Sequence, residues 1–343
     1  MWIYWKYSAK RTIDIFILDK TVLNKKYQEH ASLFWILNQS KYAKSDGKLY
    51  LPERDYYGFF PKGQGSFVIS DIEHKTVNDL VNLAHKYDMV YYTDMYGIYS
   101  VEWHDEYFKD KPNALPDKVG ERSKLIYGGL THKELEFLKL MKQQKKLIIN
   151  EFNIIASPTS STIRKEFEKE FDIKWSGWVG RYFNVLDTSV NKELPLWLVR
   201  NYKQQNSNRW PFKKSGIAFV RDDDKVVILE NKTHLENEVP CIYTSSNYVK
   251  YYNVAAEIEY PFWFDICTAG SSHKIVSEYR IKVNSKGDSI LKQWKIPTVF
   301  PATIQNNQGY PYFYFAGDFA DNPISIRTAR FKHIAIFDFL FYQ

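Results

Sequence analysis

Short apolar runs alternating with amphipathic stretches predict an α/β fold for the first half of this chain, a doubly wound and mostly parallel sheet. Three observations carry that expectation. Residues 13–18 (IDIFIL), 88–93 (DMVYYT) and 147–149 (LII) are too short for buried helices and rich in β-branched or aromatic side chains. Residues 75–87 and 131–143, which lie between them, place apolar side chains at helical spacing. The second half changes character: residues 216–220, 226–230, 255–266, 275–283 and 310–316 read as strands separated by turns. At 343 residues the chain exceeds the size at which one core stops growing. We therefore expect an α/β domain over residues 1–185 and a β-rich, α+β portion over residues 186–343 packed on it.

In order, the first strand ends in Asp19-Lys20-Thr21, and residues 30–38 follow with helical character. Residues 55–61 form an aromatic loop or short strand, residues 63–65 a turn, and residues 67–70 a second strand. Val77, Leu80, Val81 and Ala84 share one face of the helix over 75–87. The third strand ends in Asp94, and a loop carrying Tyr96, Tyr99, Glu102, Trp103, His104 and Asp105 follows. Residues 106–123 are polar, contain two prolines and read as a long loop or lid. After the turn at Gly128-Gly129, Thr131 and Glu134 have capping-box spacing. The fourth strand precedes Asn150, and Ser160 or Ser161 starts the helix over 163–171. Residues 194–204 are expected as a connecting helix.

Composition narrows the function classes. Hydrophobic residues at 44% and charged residues at 25% are ordinary for a globular chain. Aromatic content is high, with 10 Trp, 26 Tyr and 23 Phe, which supplies either a Tyr-rich core or flat platforms for sugars, nucleobases or protein partners. The net charge of +7 is spread without a Lys/Arg run of five, so no nucleic-acid surface is expected. Cys241 and Cys267 share no motif with histidine, and the histidines fall into no metal-ligand spacing, so no zinc site, disulfide framework or cofactor is expected. No stretch is long enough to span a bilayer. The opening MWIYWKY, followed by Lys10 and Arg11, has the aromatic–basic character of a membrane interface. It reads either as the stub of an anchor, which would put the protein at a membrane or cell envelope, or as an aromatic first strand.

In parallel sheets ligands bind at the carboxyl ends of strands. That rule selects Asp19 and Thr21, then Asp94 and Tyr96, then Asn150, Glu151 and Asn153. A strand-end carboxylate such as Glu151 can act as a general acid or base, or else cap the next segment or pair with Arg164. Glu102, Trp103 and His104 put a carboxylate beside an aromatic platform, and with Asp94 or Glu151 they would supply the pair that glycoside chemistry needs. The alternative is an exposed loop with scattered charges. Trp175-Ser176-Gly177-Trp178 with Arg181 and Tyr182 reads as a packed junction, or as a stacking surface for a sugar.

The order from residue 87 to residue 155 is similar to the class I glutamine amidotransferase-like superfamily, including its ThuA-like members. A strand (DMVYYTD) leads through a loop to IYGGL, the helix THKELEFLKLMKQ, the strand KKLIIN and the turn EFNIIASPTS. The resemblance is one of topology and rhythm, and it implies a flavodoxin-like sheet. In that family the turn after the last strand holds a cysteine nucleophile. Here Asn150, Glu151 and Phe152 stand at the matching positions, which argues against amide-nitrogen transfer.

A second resemblance is to haloacid-dehalogenase-like phosphatases. It rests on Asp19-Lys20-Thr21 after an apolar strand, on Thr93, and on Asp318 and Asp321 in GDFADN after the run YFYFA. It implies an aspartyl nucleophile at Asp19 and Mg²⁺ held by Asp19, Asp318 and Asp321. Val22 departs from the signature of the related P-type ATPases, which have glycine and threonine there, and the squiggle-and-flap segment is not evident. For these acids the plain alternative is turn and cap residues.

The expected function is thus a ligand-binding protein or degenerate enzyme of amidotransferase-like fold acting on cell-envelope carbohydrate. Its catalytic candidates are Glu151, Asp94 and Glu102, and its ligand contacts are Asp19, Tyr96, Trp103, His104, Asn150, Asn153, Trp178 and Arg181. A Mg²⁺-dependent phosphohydrolase and a protein-interaction module are the alternatives.

Overall fold

A computed structural model of the chain describes Trp5, Tyr7 and residues 9–108, 123–306 and 308–321. In the first half the elements are β1 (Arg11–Thr12), β2 (Ile15–Asp19), a 3-10 turn (Gln28–His30), α1 (Ala31–Gln39), β3 (Tyr42–Ala43), β4 (Tyr57–Gly63), β5 (Ser66–Ser70), α2 (Val77–Lys86), β6 (Met89–Tyr92), β7 (Ile98–Tyr99), α3 (Ser100–Tyr107), β8 (Leu125–Tyr127), α4 (His132–Gln143), β9 (Leu147–Asn150) and α5 (Ser161–Phe171). The second half adds β10 (Ile173–Phe183), α6 (Leu196–Gln205), β11 (Gly216–Arg221), β12 (Val226–Glu230), β13 (Cys241–Thr244), α7 (Ser246–Tyr252), β14 (Glu257–Glu259), β15 (Trp263–Ala269), β16 (Lys274–Arg280), α8 (Ser285–Trp294), β17 (Val299–Asn306) and β18 (Tyr312–Phe315).

The alternation of side chains along β2 decides how the central sheet is covered. Ile15 and Ile17 face one side, where they pack with Met89 against Leu33, Phe34 and Leu37 of α1. Phe16 and Leu18 face the other, with Val90, Tyr92 and Ile148, against Leu80 and Ala84 of α2, Leu135 and Leu138 of α4, and Phe167 of α5. A strand buried on both faces must read as a continuous apolar run, as IFIL does. The helices start where local chemistry tells them to. Thr76 with Asp79 and Thr131 with Glu134 form capping boxes, and the Ser160 hydroxyl accepts from the N–H of Ile163.

The main sheet has ten strands in the order β14-β13-β16-β17-β18-β9-β6-β2-β4-β5. Its centre is parallel, with β18 on β9, β9 on β6, β6 on β2 and β2 on β4. Both flanks are antiparallel. Parallel pairing is therefore confined to the centre, where helical crossovers make it possible, and the remaining strands join by antiparallel turns. β4 lies on one side of β2 while β6, β9 and β18 lie on the other, so the strand order reverses between β2 and β6. A second sheet, β12-β11-β10-β15, meets the first where Phe264 bridges to Gly317 and the N–H of Asp265 donates to the carbonyl of Ala316 at 2.8 Å. β18 thus pairs back into the first half of the chain, and β10 pairs forward with β11 and β15.

Several local expectations are corrected. Glu102, Trp103 and His104 lie on helix α3, not in a loop. The Trp175–Trp178 cluster is part of strand β10, bulged between Trp175 and Val179, with Gly177 at φ +89°. The run over 255–266 is broken into β14 and β15, with Pro261 between them. β13, β17 and α8 were not anticipated. The proposed lid lies mostly outside the described residues, as does the aromatic N-terminus apart from Trp5 and Tyr7. No helix among the described residues is long and apolar enough to cross a membrane.

Candidate functional site

Asp19 ends β2 and is fully buried. Its Oδ1 accepts from the Thr21 N–H at 2.9 Å and the Thr21 hydroxyl at 2.8 Å, while Oδ2 lies 2.7 Å from His30 Nδ1. The other ring nitrogen of His30 lies 3.0 Å from the Pro52 carbonyl. Both nitrogens face oxygens, and a carbonyl can only accept. Lys20 points to the opposite face, where its ammonium meets Glu134 at 2.8 Å and the Gly129 carbonyl at 2.8 Å, all buried.

Asp94 follows β6 and accepts from the Tyr96 N–H at 2.6 Å. Burial holds its carboxyl well above the ordinary carboxylate range, and the negative charges of Asp19 and Asp265 add to this against hydrogen bonds from Tyr96 and Asn153. Gly97 follows at φ +90°, where a Cβ would lie 2.1 Å from the Tyr127 carbonyl, so the chain can turn away here only as glycine. Thr93 bonds to the Leu18 carbonyl at 3.2 Å and ties the ends of β6 and β2 together.

The third contribution comes after β18, where residues 317–321 bring Asp318 and Asp321 to the same place. Asp318 is raised well above its ordinary value, first by burial and then by the charges of Asp94, Asp321 and Glu151. Asp321 is also raised, by burial and by Asp19, against bonding from Gln28 and the charge of Arg181. Glu29, from the 3-10 turn, accepts from the Leu23 N–H at 3.1 Å. Its second oxygen is buried without a hydrogen-bond partner among the described residues, and burial with the charges of Asp19 and Asp321 pushes its carboxyl up to about 8. Asp94, Asp318, Asp321, Glu29 and Glu102 line a cleft of about 230 Å³ together with Thr21 and Tyr96. It opens where the strand order reverses, at the carboxyl ends of β2 and β6.

The structure thus brings together acids from both sequence-based site readings, and it moves others out. Glu151 lies beneath the cleft: it is fully buried, takes a hydrogen bond from the Tyr91 hydroxyl, and accepts from the Ala320 N–H at 3.1 Å. Trp103 is no platform, because it packs in an aromatic cluster with Phe59, Phe67 and Tyr107. His104 is buried beside it on α3. Asn150 bonds to the Tyr312 hydroxyl at 3.2 Å, and the Asn153 N–H bonds to Asp265 at 3.1 Å. Trp178 is buried against Trp294 in the main core. Arg181 pairs with Glu193 at 3.3 Å and acts electrostatically on Asp321. Glu29 and Asp265 were missed. No local motif marks either, since Glu29 reaches the cleft, and Asp265 acts on Asp94 from beneath it, only through the packing of their elements.

The residues present do not fit the expected Mg²⁺ site. Both oxygens of Asp19 are already engaged by Thr21 and His30. No group of three or more His, Cys, Asp or Glu among the described residues is arranged to hold a metal ion.

No family model matches the sequence, and no curated protein matches it. Among solved structures, the chain is similar to a protein from Parabacteroides merdae ATCC 43184 described as ThuA-like, with 10% identity over 89% of this chain and 79% of that one. The TM-score is 0.39, too low to establish a shared fold.

Proposed function

We propose that this is a protein of flavodoxin-like winding, related in architecture to the glutamine amidotransferase-like proteins but without their cysteine chemistry, that binds a small, uncharged, hydroxyl-rich ligand of carbohydrate type in the acidic cleft. One observation carries the reading: Asp94 and Asp318 line one cleft and both are held well above the ordinary carboxylate range, chiefly by burial, with the charge of Asp94 adding to the rise of Asp318. A buried carboxyl held above the ordinary range favours its protonated form, and the charge of a neighbouring carboxylate strengthens that preference. Such a pair offers a donor and an acceptor side by side, which matches a hydroxyl group and suits general acid–base work. The strand order of the parallel centre and the position of the cleft at its reversal support the winding. The cleft volume suits a ligand of one or two small rings.

The second reading is a phosphohydrolase using Asp19, favoured by the approach of Asp321 to Asp19, although the residues present do not fit the Mg²⁺ that the resemblance implies. We rank it second because no Lys or Arg among the described residues lines the cleft to receive a phosphoryl group. Saturation-transfer NMR with a panel of neutral mono- and disaccharides tests the first reading. Binding by the parent chain, weakened at least about tenfold in Asp94→Asn at unchanged thermal stability, is expected. A panel without a binder overturns it, and hydrolysis of p-nitrophenyl phosphate that disappears in Asp19→Asn would put the second reading in its place.

A further inference from the structure

Asp318 and Asp321 reach the cleft on a short irregular segment, so something else must fix where they stand. The backbone of residues 317–320 is gripped from four sides. The Phe152 N–H donates to the Gly317 carbonyl at 3.4 Å, and the Tyr260 hydroxyl accepts from the Asp318 N–H at 2.6 Å. The Ser32 hydroxyl on α1 donates to the carbonyls of Phe319 and Ala320 at 2.9 and 2.8 Å. Glu151 takes the remaining donors, the Ala320 N–H at 3.1 Å and the Phe319 N–H. The hydroxyl of Tyr91, on β6, donates to its other oxygen.

We infer that Glu151 is the positioning residue of the cleft: without touching a ligand, it sets the placement of Asp318 and Asp321 through the backbone of Phe319 and Ala320, and its protonation state controls how firmly they are held. Of the four grips, it is the one that can change its hydrogen-bonding capacity by titrating in an accessible range. As a carboxylate it accepts from all three donors, and charge assistance makes such bonds roughly twice as strong as neutral ones. As an acid it must carry the proton on the oxygen facing Tyr91, whose hydroxyl can turn to accept it, because the two backbone N–H groups cannot. The oxygen left to Ala320 and Phe319 is then a neutral, weaker acceptor. The groups facing Glu151 are the carboxyls of Asp19 on β2 and Asp318 on the held segment, with the hydroxyls of Tyr91 on β6 and Tyr260 just before β15. Burial first, and then the charge of Asp19, push Glu151 up to about 8 against these hydrogen bonds. Above that value the bonds to the segment are charge-assisted but burial of the charge costs the folded state, and below it they are neutral, so the grip changes across that value. A resulting pH dependence of ligand affinity rests on the carbohydrate reading; the placement itself does not.

The test needs no ligand, so its failure and that of the binding reading are separable. The amide signals of Phe319 and Ala320 are followed in the full-length ¹⁵N-labelled chain from about pH 6 to about pH 9.5, with hydrogen exchange at both ends. We expect one titration step between about pH 7 and pH 9, exchange protection that differs between its two sides after correction for the intrinsic rate, and loss of both in Glu151→Gln. Tyr91→Phe, which keeps the ring and removes one donor to the carboxylate, should move the midpoint upward and serves if Glu151→Gln does not fold. Amide signals that do not respond in the parent overturn the inference. So does a step that persists in Glu151→Gln, or a midpoint unmoved in Tyr91→Phe.

Discussion

Adjacent residues at the end of β2 show how far a motif reading can go. Asp19 and Lys20 read as one motif, yet strand alternation sends them to opposite faces. Asp19 is buried behind the cleft, bonded to the Thr21 that lines it and to His30, while Lys20 crosses the core to Glu134. Glu134 was legible as the third residue of a capping box, and it fills that role by accepting from the Thr131 N–H at 2.8 Å. Its second role, as the counter-ion of a buried lysine, depends on a residue more than a hundred positions away and leaves no local trace. Breaking the pair leaves an uncompensated buried charge, so Lys20→Met should lose about 3–5 kcal/mol in urea unfolding. The double variant Lys20→Met/Glu134→Leu should recover most of that loss. A single variant as stable as the parent would show that the pair is not buried as described.

At the scale of elements, the strand ends are held in place by close approach. Gly58 on β4 adopts φ +128°, and a Cβ there would lie 1.6 Å from the carbonyl oxygen of Asp19. Only a bare backbone lets β4 come this near the end of β2. Gly58→Ala should therefore cost more than the roughly 1–3 kcal/mol of backbone strain alone and should displace Asp19. Thermal melts together with the ring signals of His30 check this, and an unshifted melting temperature would refute it. The helices α2, α4 and α5 were legible because their caps and apolar faces are local signals. Helix α3 was not, because Tyr99–Tyr107 mixes aromatic and charged residues around the turn and its apolar side packs on β4 and β5. β10 was hidden by Gly177 and its bulge, which interrupt the strand pattern that its partners on both sides enforce.

Taken whole, the molecule concentrates buried carboxyl groups around one sheet end, and this sets the sign of its pH response. Burial raises Glu29 and Glu151 to about 8 and Asp265 to about 7. Between the ordinary carboxyl values and these, the folded state binds more protons than the unfolded state. Stability from these groups is thus fully present below the ordinary values and is lost as pH rises through about 7–8. The melting temperature should fall from about pH 5 to about pH 8.5, against the usual trend for salt-bridged acids, and Glu29→Gln should flatten the decline. A melting temperature that is flat or rises across that window would contradict the burial of these groups.

By itself the sequence determined the alternation of short buried strands and capped helices, and it pointed to Asp19, Asp94, Asp318 and Asp321 as strand-end acids. These features follow from local periodicity and from the rule that parallel strands expose their carboxyl ends. Only the tertiary structure decided that acids from two separate sequence patterns share one cleft. It alone placed β18 beside β9, made Glu151 a support beneath the site instead of a wall of it, and brought in Glu29. The physical reason is that a parallel sheet is assembled from strands remote in the chain, so strand order, and with it the neighbours of each carboxyl group, is set by long-range pairing and packing.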